Sequence, residues 1–346
     1  MPRPVPRVGV ITARRLGTAL ALACCIVVAT LSWIGHQAAT PLQPIGGDSV
    51  EVLPGQTLAG VLNALSAEGR LAHPGAIRVW ARLTGRGDRI VAGEYAITAT
   101  TTPARLLADF AAGRVRQYAV RVPEGATFRE ALAALWASPV LRATLGGASD
   151  AQIMAALGSP GLPAEGWFLP DTYFVTRGQS DLDVLRRSHA AMRAHLEALW
   201  QRRGPGAPAV MGDAVTLASL VEKETGRDDE RPLVAAVLLN RLRLDMPLQI
   251  DSTVIYGLGA HFDGNLHRRD LRTPTPHNTY TQRGLPPTPI ALPSLASLRA
   301  VLHPAAVDYL YFVARGDGSH VFSSSLDEHN RAVDCYQRRR AERCRS

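Results

Sequence analysis

The sequence predicts an α+β protein with one N-terminal transmembrane helix, a small α+β module and a larger mixed α+β domain. Three observations carry this. An uncharged run, Leu16 to Ile34, follows a cluster of arginines. Two strand-turn-helix patterns repeat the same residue types at the same offsets. Beyond residue 119, helical periodicities alternate with Pro- and Gly-rich loops and a hairpin pattern.

At 346 residues with 46% hydrophobic content, the chain has enough material for more than one core. A net charge of +8 points to acidic partners such as nucleic acid, anionic lipid or an anionic wall polymer.

The N-terminus chooses among them. Arg3, Arg7, Arg14 and Arg15 precede a run about long enough to span a bilayer. The basic flank marks residues 1–15 as a cytoplasmic tail and 16–35 as a single-pass anchor in the inner membrane, with the body of the chain in the periplasm. A cleaved signal peptide would have a shorter apolar core and a small-x-small site, which is missing after Trp33. This placement argues against a nucleic-acid partner.

Cys24 and Cys25 fall in the apolar run. Cys335 and Cys344 lie in the basic tail, where an oxidising compartment permits a bond that spacing alone does not establish. With no Cys-x-x-Cys and ten scattered histidines, neither a metal site nor a cofactor is expected.

Residues 36–47, with Pro41, Pro44, Gly46 and Gly47, read as a linker. Residues 48–118 form the small module. Val50-Glu-Val52 leads through Gly55 and Thr57 to Leu62 and Leu65. Val120-Arg-Val122 leads through Gly125 and Thr127 to Leu132 and Leu135. Each copy reads as strand, glycine turn, threonine cap and helix. Between them, 93–98 reads as a strand, and Pro103 opens a helix over 104–112.

Residues 119–346 form the larger domain. After a broken helical stretch over 126–157 comes Glu165-Gly-Trp-Phe-Leu-Pro-Asp-Thr-Tyr173, conspicuous in a chain with only 6% aromatics. It reads either as a loop packed on the core or as an aromatic wall for a sugar. A helix follows over 181–202, then another from Pro232. Gln249, Asp251, Ser252 and Thr253 gather hydrogen-bonding groups. The Pro-rich loop 273–293 holds His277-Asn-Thr-Tyr280, and a loop of that length inside a domain is usually functional. Ser294 caps a helix over 295–302, Tyr309–Val313 and His320–Phe322 make a hairpin, and a basic helix over 327–343 closes the chain.

The centre of the pattern is Asp213 to Gly226, an amphipathic helix with Asp213 as N-cap and Gly226 as its stop. With Leu217 at zero and about 100° per residue, Val221 falls at about 40°, Leu220 at about 300° and Glu224 at about 340°. Glu222 falls at about 140°, toward water. Glu224 is thus expected in the buried stripe. There it is either a carboxyl whose pKa is raised, as a general acid requires, or one tied to a core arginine. Glu165, Asp171 and Asp251 are candidates for a second carboxylate.

Taken together, Ser219-Leu-Val-Glu-Lys-Glu-Thr225, Glu165–Tyr173, Leu248-Gln-Ile-Asp-Ser-Thr-Val-Ile-Tyr-Gly257, Asn278-Thr-Tyr280, Gly284–Ile290, Tyr309–Ala314 and Glu328-His-Asn330 resemble the endolytic murein transglycosylase (MltG, YceG-like) family, in order and over nearly the whole chain after the anchor. Ser252 stands where members often have proline. The resemblance implies a LysM-like module over 48–118 and a transglycosylase domain over 119–346. It makes Glu224 catalytic. Gln249, Asp251, Asn278 and Tyr280 are then hypothetical glycan contacts, partners that orient Glu224, or loop residues hydrogen-bonded to the core. It further implies lytic cleavage of the MurNAc-GlcNAc bond of nascent peptidoglycan strands with a 1,6-anhydro end, terminating elongation in company with peptidoglycan synthases. The alternatives are a two-carboxylate muramidase and a wall-binding module without chemistry.

Overall fold

The computed structural model describes residues 9–43, 45, 47–87 and 89–338. Most of residues 1–15, expected as a cytoplasmic tail, lie outside them, as do Cys344 and the Arg339-Arg340 pair. The chain divides into two compact units, Met1–Tyr118 and Ala119–Ser346.

The first unit begins with α1 (Gly9–Ala39), which contains one stretch, Arg15–Ala39, long and apolar enough to cross a membrane. Strand β1 (Ser49–Val52), helices α2 (Leu58–Ala67) and α3 (Pro74–Leu83), strand β2 (Gly93–Ala96) and helix α4 (Pro103–Ala112) follow. β1 and β2 pair antiparallel, Val50 opposite Tyr95 and Val52 opposite Gly93. The helices close over one face with Val61, Leu65, Ile77, Leu107 and Phe110 buried, and the Tyr95 ring meets Phe110 edge-on at 4.7 Å. Residues 36–47, expected as a linker, are fastened to this core at several points. Ala38 and Leu42 are buried in this core, Leu42 N–H donates to Thr101 O, and Gln43 N–H donates to Arg70 O. Their apolar side chains find a core within reach, so the chain leaves α1 already docked.

The second unit takes up the chain one residue into β3 (Tyr118–Val122), which pairs with β4 (Asp171–Val175). Helices α5 (Phe128–Trp136) and α6 (Asp150–Ala156) lie between the two strands, and α7 (Asp181–Trp200) follows them. The repeat is visible locally. Gly55 and Gly125 both take positive φ, 80° and 65°, and Thr57 and Thr127 cap α2 and α5 through the N–H of the third helical residue.

The centre of this unit is α8 (Met211–Glu224), flanked by α9 (Arg231–Arg243), α10 (Asp251–Leu258) and α11 (Leu295–Leu302). Every residue from Ala214 to Val221 is buried. The helix is therefore enclosed on all sides rather than amphipathic, as a helix apolar all round must be. It also begins earlier than expected: Val210 is the N-cap, Asp213 sits in the first turn, and Thr225 rather than Gly226 ends it. The hairpin β5 (Tyr311–Ala314) and β6 (His320–Ser323) pairs Phe312 with Phe322. α9 pins this hairpin, since Asn240 Nδ2 donates to Val307 O and Tyr309 O, and Arg241 Nε donates to Leu310 O. Among the described residues the last helix, α12 (Leu326–Tyr336), is shorter than the pattern suggested, with Gln337 as its C-cap. Cys335 is disulfide-bonded.

Candidate active site

Glu224 is the last residue of α8, and its side chain opens into a cleft of about 380 Å³ in the second unit. Helix α8 sets its depth. The loop before α10 supplies Gln249, the first residue of α10 supplies Asp251, the Pro-rich loop supplies Tyr280, the hairpin supplies Phe312, and α12 supplies His329. Glu224 is half-buried, and loss of water around its carboxyl pushes the pKa up to about 7. The nearby Asp251 carboxylate pushes the same way, while a hydrogen bond from Ser252 Oγ to Oε1, at 3.3 Å, and the His320 ring oppose it. Its place in the last turn also sets it at the negative end of the helix dipole, which further disfavours the carboxylate.

Threonines lock the two loops together. Gln249 N–H donates to Thr279 O at 3.1 Å, Ile250 N–H donates to Thr279 Oγ1 at 3.0 Å, and the Thr253 and Thr279 hydroxyls meet at 2.9 Å. Gln249 has a positive φ of 54°, a left-handed backbone that a non-glycine residue rarely holds unless its surroundings impose it. Arg241, buried beneath, donates to the carbonyls of Pro247 and Leu248 and to Gln249 Oε1. Tyr280 Oη donates to Asp251 Oδ1 at 2.6 Å. Burial, with the Asp251 acceptor, raises the Tyr280 pKa, so the phenol keeps its proton.

Of the residues singled out in the sequence, Glu224, Gln249, Asp251 and Tyr280 share this cleft. Asn278 does not. It is fully buried, its Nδ2 donates to the carbonyls of Asp270, Leu271 and Thr273, and its Oδ1 accepts from Tyr280 N–H. It shapes the loop that carries Tyr280 instead of facing a ligand, because a buried amide must satisfy both its ends. Glu222 departs from expectation too. Its Oε2 accepts from Ser294 N–H, Ser294 Oγ and Ser297 Oγ at 2.9, 2.6 and 2.7 Å. It caps α11 and does not point into water.

Neither Glu165 nor Asp171 reaches the cleft. Glu165 is buried, accepts from Phe128 N–H and Tyr256 Oη, and has its pKa raised by burial to about 7. Asp171 is exposed on β4. The aromatic loop packs into the core: Phe168 stacks on Phe128 with centroids 4.9 Å apart, and Trp167 is buried. Gly166, at a φ of 83°, lets the loop approach Pro289 so closely that an added Cβ would lie 2.5 Å from that ring. The aromatic rings that line the cleft are Tyr280 and Phe312 instead of Trp167.

Arg241, Phe312 and His329 line the cleft without having been singled out. His329 stacks on Tyr311 with centroids 5.1 Å apart, and its Nδ1 is buried without a hydrogen-bond partner among the described residues. Burial and the Arg241 charge lower its pKa, so the ring is neutral near pH 7. The available signals were a charged residue at a core position of α9 and a histidine inside the Glu328-His-Asn330 motif. Among the described residues no group of His, Cys, Asp and Glu is placed to hold a metal ion.

The profile of the YceG-like family matches residues 50–335. The endolytic murein transglycosylase of Bacillus subtilis (strain 168) is 38% identical over 175 residues, which is 50% of this chain and 48% of that protein. The endolytic murein transglycosylase of Streptococcus pneumoniae (strain ATCC BAA-255 / R6) is 31% identical over 174 residues, 49% of this chain and 31% of that protein. The chain thus spans half or less of the length of these curated relatives. A crystal structure of a yceG-like protein from Listeria monocytogenes superposes with a TM-score of 0.52 at 26% identity, covering 82% of this chain and 98% of that one.

Proposed function

This chain belongs to the YceG-like family, and we propose on that footing that it is a membrane-anchored endolytic murein transglycosylase of the inner membrane, with its second unit in the periplasm. Glu224 is its single proton carrier. In the protonated form it gives its proton to the oxygen joining N-acetylmuramic acid to N-acetylglucosamine as the muramyl C1–O bond breaks. The resulting carboxylate then takes the proton from the muramyl 6-hydroxyl while O6 bonds to C1. One bond breaks, one forms, no water is consumed, and the muramyl end closes as a 1,6-anhydro ring.

The observation that carries this reading is Glu224 itself: a carboxyl with a pKa of about 7, in a cleft shared with sugar-compatible groups. A pKa near the working pH suits a group that must act first as acid and then as base. A substrate that supplies its own nucleophile needs no second carboxylate. Gln249, Asp251 and Tyr280 are read as glycan contacts, Ser252 as the group that orients Glu224, and Asn278 as the support of the Tyr280 loop.

The antiparallel β1–β2 pair with α2 and α3 between its strands supports a LysM-like module, delimited at 48–118 beside a catalytic domain over 119–346. A module of that kind, held to the membrane, suits cleavage inside nascent strands near peptidoglycan synthases and termination of their elongation.

One observation favours a second reading. Asp251 shares the cleft with Glu224, as a two-carboxylate muramidase would require. Its Oδ1 is already engaged by the Tyr280 hydroxyl, which weakens its claim as a nucleophile. Mass spectrometry of digested sacculi decides. Anhydro-muramyl ends support the lytic reading, free reducing ends replace it with the muramidase, and no new ends leave a binding module.

A further inference from the structure

The strongest unassigned feature lies on α3 in the first unit. Helix α3 packs against α1. Its Trp80 ring lies against Gly35, where an added Cβ would be 3.7 Å from the ring, and His73, just before it, meets the Trp33 ring at 5.1 Å. A spanning helix rising about 1.5 Å per residue from Leu16 covers roughly the thickness of a hydrocarbon core by residues 33 to 35. The level at which α1 leaves the hydrocarbon is therefore the level at which α3 is fastened to it.

The outer surface of α3 has two faces. Leu83, three residues after Trp80 and so on its side of the helix, is 62% exposed, and Val79, one turn before Leu83, is 42% exposed. Beside them Arg78 and Arg82 repeat at i and i+4, with Arg86 just beyond, all exposed. Among the described residues none of these three arginines is in an ion pair, whereas Arg70, Arg105, Arg114 and Arg116 of the same unit all are. Apolar side chains next to unpaired cations, held at the membrane surface, form the face of an interfacial helix: the apolar groups enter the headgroup boundary and the guanidinium groups meet lipid phosphates.

We propose that α3 is a membrane-contact helix for anionic lipid, seating the first unit on the bilayer through Val79 and Leu83 with Arg78, Arg82 and Arg86 on the phosphates. The inference rests on the reading of α1 as a membrane anchor. It goes further, because it seats a second helix of the first unit on the lipid surface.

The test uses the full chain carrying Cys24→Ser, Cys25→Ser and Leu83→Cys, labelled with an environment-sensitive fluorophore and reconstituted into bilayers containing a spin-labelled quencher near the headgroups. In bilayers rich in phosphatidylglycerol the emission should shift to the blue and be quenched at least threefold more than in pure phosphatidylcholine. Adding Arg78→Glu, Arg82→Glu and Arg86→Glu should abolish the difference. If the chain inserts but the label stays as in water in both bilayers, the α3 inference is wrong and the anchor stands. If the chain does not enter bilayers at all, the anchor falls and the inference with it. A label indifferent to lipid that responds to soluble anionic wall polymer would assign the face to that polymer and overturn the lipid assignment.

Discussion

Ser252, in the first turn of α10, donates its hydroxyl to Oε1 of Glu224, the last residue of α8, across 3.3 Å. This bond joins the end of α8 to the first turn of α10, where Asp251 and the preceding Gln249 line the same cleft. It favours the charged carboxylate, and so restrains a pKa that dehydration and Asp251 drive upward.

Ser252→Ala should therefore raise the pKa of Glu224 above about 7. A general acid loses its proton as pH rises, so the kcat/KM of the parent should decline through about pH 7, and the variant's decline should begin at higher pH. A pH–rate profile on isolated glycan strands checks this. A descending limb that stays in place, or moves to lower pH, would mean that Ser252 does not act on this carboxyl.

Glu222→Ala should leave the chemistry intact and weaken the fold. It strips three hydrogen bonds from the N-terminus of α11, a loss of about 1–3 kcal/mol for a buried polar cluster. Thermal melting should show a lower Tm, with cleavage at low temperature within about threefold of the parent.

Asn278→Ala separates a supporting residue from a glycan contact. Its amide holds three carbonyls and the Tyr280 N–H in a buried loop. The variant should lose about 2–3 kcal/mol of stability, and KM should rise as Tyr280 loosens. An unchanged Tm with glycan binding abolished would return Asn278 to the substrate surface.

What the sequence made legible was local. Glycine turns, threonine and serine caps, the proline that opens α4 and the hairpin all follow from chemistry within a few residues, and Ser294 caps α11 as its spacing implies. Glu224 was singled out by the period of the helix. The same argument misplaced Glu222 because it assumed one wet face, whereas α8 is enclosed on every side and Glu222 finds its partners about seventy residues downstream. No periodicity reveals such a partner. Trp167 was ambiguous for a related reason, since an aromatic loop reads the same whether it stacks on a sugar or on Phe128. Arg241 and His329 reach the cleft through tertiary packing of α9 and α12, which helical spacing does not encode.

In the proposed reaction Glu224 alone carries the proton. The most direct measurement compares the cleavage rates of Glu224→Gln and the parent on the same purified glycan strands. Because the raised pKa makes the folded state keep a proton that the unfolded chain releases between about pH 4.5 and 7, the parent loses stability across that window. The amide should escape this loss and melt no lower than the parent at pH 8. With the fold so verified, Glu224→Gln should cleave more slowly by about 10²–10⁴, with glycan still bound; cleavage at the parental rate would remove Glu224 from the chemistry.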